Sequence, residues 1–360
     1  MKEIKALTGL RGVAALVVFF SHTHETLQSR GLSVQVPELI KRLVLSGGRQ
    51  VDIFFVLSGF ILALIYRDWF STTVTKKFYL QFLQRRFARI YPLHAFMIVL
   101  VGIFVLAAHL SKTPTLHGLE RYTVASIPAH LLLVHAWGFL GEQGGYWNPP
   151  SWSVSIEALA YLLFPAIIWL TTKLARTHVL LSFCLVVACG LTLNWITAWG
   201  LAGFPGIARG LSEFALGCTS IQFFNGKFAS RLQTNWGSLL SIAALLLCFA
   251  LTPTTSFMIA LCTVPLLLSL SGKNITSRFF SVRPIFFLGE ISYSIYLGHF
   301  LFSSLAYRLI SVAWMRTGTI PLCSGLIAIA GFVLALSTLT YYFIERPGRD
   351  LLRRVGARSK

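Results

Sequence analysis

Ten apolar runs, near residues 8–24, 47–66, 87–110, 153–172, 179–197, 207–224, 237–252, 255–271, 284–308 and 321–344, occupy most of this 360-residue chain. Each approaches the roughly 20 residues that an α-helix needs to cross a ~30 Å hydrocarbon layer. Only 12% of the residues are charged and the mean hydropathy is +0.71, whereas a soluble domain carries about 25% charged residues. So few charges cannot clothe a water-soluble globule. In lipid, each backbone N–H and C=O must be satisfied without water, which leaves helices or closed barrels. Runs this long select helices. The expected fold is all-α: a polytopic transmembrane bundle of about ten spans, a single integral-membrane domain over residues 1–360 with no appended soluble domain.

A further apolar stretch, 125–140, contains Pro128, His130 and His135 and runs into a Gly-rich loop. It reads as a re-entrant or surface helix. With ten spans both termini lie on the cytoplasmic side, and 21 of the 31 Lys and Arg residues fall in cytoplasmic segments. That asymmetry sets the orientation. It also accounts for the net charge of +19 without nucleic acid as a partner. The first run follows two lysines but ends in SHTHE, so it reads as a retained helix and not a cleaved leader. The six cysteines (Cys184, Cys189, Cys218, Cys248, Cys262 and Cys323) lie in or beside apolar runs without metal-ligand spacing. Helix packing is their expected role, and no metal is expected.

Within the first run, Arg11 and His22 bracket ten almost wholly apolar residues. Eleven residues of helix advance roughly 16 Å and come within about 20° of three full turns. The two side chains therefore point the same way from opposite ends of one rod. Ionisable groups at such positions are costly in lipid and mark functional paths. His22 can take a proton from a hydroxyl nucleophile near neutral pH, and Glu25, three residues on, can orient its ring. The plainer alternative is an interfacial histidine without chemistry.

Four other groupings stand out. Arg85, Arg86 and Arg89 form a basic corner whose guanidinium groups suit phosphate oxygens; an ordinary cytoplasmic anchor is the alternative. Glu157 opens the fourth span, where a carboxylate needs a partner, and His22 is a candidate for it. Ser292, Tyr296 and His299 form a polar stripe that can serve as oxyanion donors or as interhelical glue. Arg209 and Glu213, four apart, most simply neutralise each other, and Glu345 reads as a cap to the basic tail.

These segments, in this order, resemble acyltransferase family 3, the integral-membrane O-acyltransferases of bacterial surface carbohydrates. The resemblance rests on GLRGVAALVVFFSH (9–22), VDIFFVLSGF (51–60), QRRFARIYP (84–92), SWSVSIEALAYLLFP (151–165), GEISYSIYLGH (289–299) and YYFIERP (341–347). Thr8 stands where members often carry Asp, and Gln50 where a glycine commonly precedes the Val-Asp pair. The resemblance implies acyl transfer, usually acetyl, from cytoplasmic acetyl-CoA to a hydroxyl of a glycan or lipid-linked glycan across the bacterial inner membrane. Lipopolysaccharide O-antigen and exopolysaccharide are example acceptors. It implies a catalytic role for His22, aided by Glu157 or Glu25, and donor binding by Arg11, Arg86, Arg89 and Arg85. Asp52, Ser292, Tyr296 and His299 are the expected substrate-binding or oxyanion residues. Direct attack by the acceptor and an acyl-His intermediate both remain open, as does oligomeric state. The competing class is a transporter or proton-coupled carrier of a lipid-linked or acylated metabolite.

Overall fold

The computed structural model describes residues 3–29, 42, 47–112, 122–140, 147–197, 200, 202–251, 256–317 and 322–358. Among the described residues the structure is helical, with no strand. In chain order the helices are α1 (Lys5–Ser29), α2 (Gln50–Phe70), α3 (Lys76–Leu110), α4 (Ile127–Leu131), α5 (Ser151–Thr177), α6 (Val179–Thr197), α7 (Gly203–Ser220) and α8 (Lys227–Leu232). After these come α9 (Asn235–Leu251), α10 (Ser256–Leu270), α11 (Ile275–Ser281), α12 (Arg283–Glu290), α13 (Ser292–Thr317), α14 (Leu322–Thr340) and α15 (Arg346–Arg358). A π-helical turn, Tyr341–Glu345, joins the last two.

Among the described residues, six helices are long and apolar enough to cross a membrane, and eight if two bent pairs each count as one crossing. The expected count is ten. The difference lies in α9, which is shorter, and α7, whose apolar character is diluted by Arg209, Glu213 and small residues. The chain is thus a multi-pass membrane protein. Residues 124–131 form a 3₁₀ turn and the short α4, with Pro128 in its first turn, where a missing N–H costs nothing. The stretch 125–140 does not span. Gly144–Tyr146 of the Gly-rich loop, and the side chain of Cys323, lie outside the described residues.

The first of the two bends has a local cause. Between α10 and α11 the axis turns by 90° at SGKN, where the Asn274 side chain accepts from the Ser277 backbone N–H and starts a new helix. Between α12 and α13 it turns by 68°, which delivers Ser292, Tyr293 and Tyr296 to the centre of the bundle. Close helix approach is built from small residues. A Cβ on Gly59 would sit 2.0 Å from the Phe214 carbonyl oxygen, and one on Gly217 would sit 2.0 Å from that of Val56, so α2 and α7 meet backbone to backbone. Likewise a Cβ on Gly12 would lie 2.5 Å from the Gly289 nitrogen, pinning α1 to α12. Burial is uneven: 67% of the apolar window of α1 is enclosed, against 11% of that of α6. The Arg11–His22 helix is therefore central, while α6 is left for lipid.

Candidate active site

Helices α1, α2, α3, α5 and α13 line a cavity of about 160 Å³. Its walls carry Arg11, Arg86 and Arg89, then Ser58, Glu157 and Tyr161, then Ser153, Ser292, Tyr293 and Tyr296, with Phe54 and Phe55 among the apolar lining. The helical register explains the convergence. Arg86 and Arg89 share one face of α3, and Glu157 and Tyr161 share one face of α5.

The charges in this cavity are unevenly partnered. Arg89 is ion-paired to Glu345 at 2.7 Å, and the second oxygen of Glu345 accepts from Ser294 at 2.8 Å. Glu345 is fully buried. Glu157 accepts from Ser58 at 2.8 Å and Tyr161 at 2.6 Å. Arg86 donates to the Tyr66 hydroxyl at 3.2 Å, but its Nε is buried without a hydrogen-bond partner. Arg11 makes no hydrogen bond and no ion pair with any described residue, and its side chain borders the cavity. A charged side chain at mid-span costs ~2.5–3.5 kcal/mol on insertion scales. Two arginines with spare donors therefore face one cavity, which they share with the carboxylate of Glu157.

The far end of α1 is different. His22 Nδ1 lies 3.1 Å from Glu25 Oε2, both side chains being partly exposed. The His22 ring stacks on that of His299, with centroids 5.3 Å apart at 16°. His299 is buried, its Nδ1 lies 2.6 Å from the Tyr296 carbonyl oxygen, and its Nε2 has no partner. A carbonyl only accepts, so His299 Nδ1 carries the hydrogen and Nε2 presents a lone pair. The cavity stops short of His22: Tyr296 is in its wall, its ring 6.1 Å from His299 and edge-on to Phe54 at 5.5 Å. His22 itself is not among the residues that line the cavity with Arg11.

Several sequence expectations need correcting. Glu157 is not the partner of His22 in this structure; Ser58 and Tyr161 hold it inside the cavity, and Glu25 takes the imidazole. Arg85 is exposed and lies over Trp69 at 5.2 Å, outside the cavity lining. Asp52 is no open substrate ligand: it is buried and accepts from Arg209 Nε at 2.7 Å, while Glu213 stands 3.8 Å from the same nitrogen. Arg209 therefore serves Asp52 first. Ser292 spends its hydroxyl hydrogen on the Gly289 carbonyl oxygen (2.7 Å), and it lines the cavity beside Arg11. The Tyr296 hydroxyl is engaged with Ser153 (2.8 Å) and the Pro150 carbonyl oxygen (3.2 Å). His299 offers an acceptor. None of these three has a free donor for an oxyanion in this geometry.

Three residues were missed. Glu345 looked like a cap because Pro347 comes soon after it; the π-helical turn instead aims it inward, in keeping with such turns marking functional sites. Ser58 was a lone polar residue in an apolar run. Tyr293, whose ring faces Arg89 at 5.9 Å, sat beside the expected polar stripe but was not placed on it.

A family model described as an acyltransferase domain matches residues 4–342. The chain is similar to acyltransferase MdmB of Streptomyces mycarofaciens, at 29% identity over 98% of this chain and 93% of that protein. It is also similar to O-acetyltransferase OatA of Staphylococcus aureus, at 25% identity over 97% of this chain, which spans 57% of that longer protein. No solved structure matches.

Proposed function

The chain belongs to acyltransferase family 3 and is a membrane O-acyltransferase, and from that premise we propose that it moves an acetyl group from acetyl-CoA, bound at the cytoplasmic end of the bundle, to a hydroxyl of a glycan or lipid-linked glycan at the outer face of the bacterial inner membrane. Arg11 is the observation that carries this reading. A guanidinium that makes no ion pair or hydrogen bond among the described residues, in one cavity with Arg86, Arg89 and the single carboxylate of Glu157, is explained by an anion that arrives with the donor. The similarity of the chain to an O-acetyltransferase supports the choice of acetyl.

In this reading the phosphates of the donor engage Arg86 and Arg11, and the pantetheine arm extends along α1 toward His22. Tyr296 and Phe54 turn aside as the arm passes. Glu25 accepts from His22 Nδ1–H and leaves Nε2 as the base. His22 Nε2 takes the acceptor hydroxyl's proton while the oxygen attacks the thioester carbonyl; the C–S bond breaks, and the thiolate takes the proton back from His22. General-base assistance of this kind is worth roughly 10²–10⁴-fold, and holding both reactants together adds several kcal/mol.

The test supplies membranes containing the chain with acetyl-labelled acetyl-CoA and a surface polysaccharide fraction. Label appearing on glycan hydroxyls, and released by mild base, is the expected result. Uptake of label with no covalent transfer would instead identify a carrier.

A further inference from the structure

The match to the acyltransferase domain ends at residue 342, so α15 (Arg346–Arg358) lies beyond it. The helix is nevertheless fastened to the cavity wall. Glu345, immediately before it, is tied to Arg89 and Ser294. Gly348 packs on Pro92 of α3 so closely that a Cβ would come within 2.6 Å of the proline side chain. Gln84 of α3, two residues before Arg86, donates to the Leu352 carbonyl oxygen at 2.8 Å.

This docking collects like charges. Arg349 and Arg353, four apart, share one face of α15. Arg353 lies within electrostatic range of Arg86, Arg349 and Tyr66, and Tyr66 is the residue whose hydroxyl accepts from Arg86. The acid offered to Arg349 is Asp350, half-exposed and 3.8 Å away, while the Arg349 Nε is buried without a hydrogen-bond partner. Arg86 Nε is in the same condition. With α15 held against α3 at Gln84 and only Asp350 as a weakly held acid, these guanidinium groups repel one another unless a multivalent anion joins them.

We propose that Arg349 and Arg353 of α15, together with Arg86, form a clamp for the phosphate-bearing nucleotide end of the acyl donor. The clamp sits where α15 docks on α3, the helix that carries Arg86 into the cavity. The inference rests on the donor reading and extends it to a helix outside the family match. Arg11, deeper in the cavity, then takes the phosphate nearest the pantetheine arm.

The test is calorimetric titration of the purified full-length chain, in neutral detergent without added lipid, with CoA. R349Q/R353Q should bind CoA at least about tenfold more weakly than wild type, a loss of ~1.4 kcal/mol. R349K/R353K, which keeps the charge, should recover part of that loss, and the thermal midpoints of both variants should match wild type. Equal CoA affinity in wild type and R349Q/R353Q overturns the clamp and leaves the donor reading standing. Failure of wild type itself to bind CoA overturns both. Nanodiscs of anionic and zwitterionic lipid separate the other source of phosphate: if the Gln variant loses preference for anionic lipid but keeps its CoA affinity, α15 is a membrane-surface helix and the clamp is wrong.

Discussion

Arg11 and Arg209 are both held inside one helix bundle, yet their surroundings are opposite. Arg209 is 2% exposed and grips Asp52, with Glu213 close by, the Gly48 carbonyl oxygen as a further acceptor and the Trp152 ring 5.4 Å from its guanidinium carbon. Arg11 borders a cavity and has no ion pair or hydrogen bond among the described residues. A buried ion pair is neutralised by the fold itself, and its removal leaves an uncompensated charge. An arginine without a partner is stable only because space for water or an anion lies beside it. The first is architecture, joining α2 to α7; the second is, in the proposed function, a docking point.

That contrast can be broken by mutation. Arg209→Ala strands Asp52 and Glu213 in the core and should cost about 3–5 kcal/mol; the amount of folded protein and its thermal midpoint in detergent should both drop. Arg11→Ala should leave the midpoint unchanged or raise it, since no partner is stranded. Equal destabilisation by the two changes would show Arg11 to be structural.

A smaller effect is expected where the two conditions meet. Arg89 lines the cavity yet is paired to Glu345. Glu345→Gln keeps an acceptor but removes the negative charge. We expect a loss of about 1–2 kcal/mol of stability, the scale of a charged hydrogen bond, and a severalfold gain in CoA affinity as Arg89 becomes available. A fall in CoA affinity on titration would mean that Arg89 contributes by position alone.

The smallest effect concerns the segment outside the spans. His130 and His135 stack with centroids 4.2 Å apart, and His135 stacks on His94 at 5.7 Å. Burial pulls His130 below the ordinary histidine value of 6.5 and pulls His135 down to about 2, where neighbouring His130 and His94 add to the effect. The native rings are neutral, so the unfolded segment takes up protons first as the pH falls. Stability of residues 122–140 is thus intact above about pH 6.5 and is lost progressively below it. Hydrogen-exchange protection at Leu133 and Ala136, corrected for the intrinsic exchange rate at each pH, should fall between about pH 6.5 and 5, while protection within α2 stays constant.

How much was legible depended on the distance along the chain. Arg11 with His22, and Arg86 with Arg89, are set by helical period alone, so the residues shared between cavity and chemistry could be read locally. The non-spanning character of 125–140 could be read from Pro128. The partners could not. Arg89 finds Glu345 across 256 residues and Arg209 finds Asp52 across 157, whereas local spacing pointed to Glu213 and to a cap. The run 284–308 looked continuous, but it bends after Glu290, and that bend moves Ser292 to the Arg11 end of the bundle, away from His22. Tyr296 was expected to assist the reaction; it lines the cavity, with its hydroxyl engaged by Ser153 and the Pro150 carbonyl oxygen.

The most direct measurement compares two variants of α1 for both binding and transfer. Purified His22→Ala should bind acetyl-CoA as tightly as wild type and transfer no acetyl group to glycan. Arg11→Ala should bind it at least about tenfold more weakly. Undiminished affinity in Arg11→Ala, or transfer at the wild-type rate by His22→Ala, would contradict the division of α1 into a donor end and a proton-accepting end.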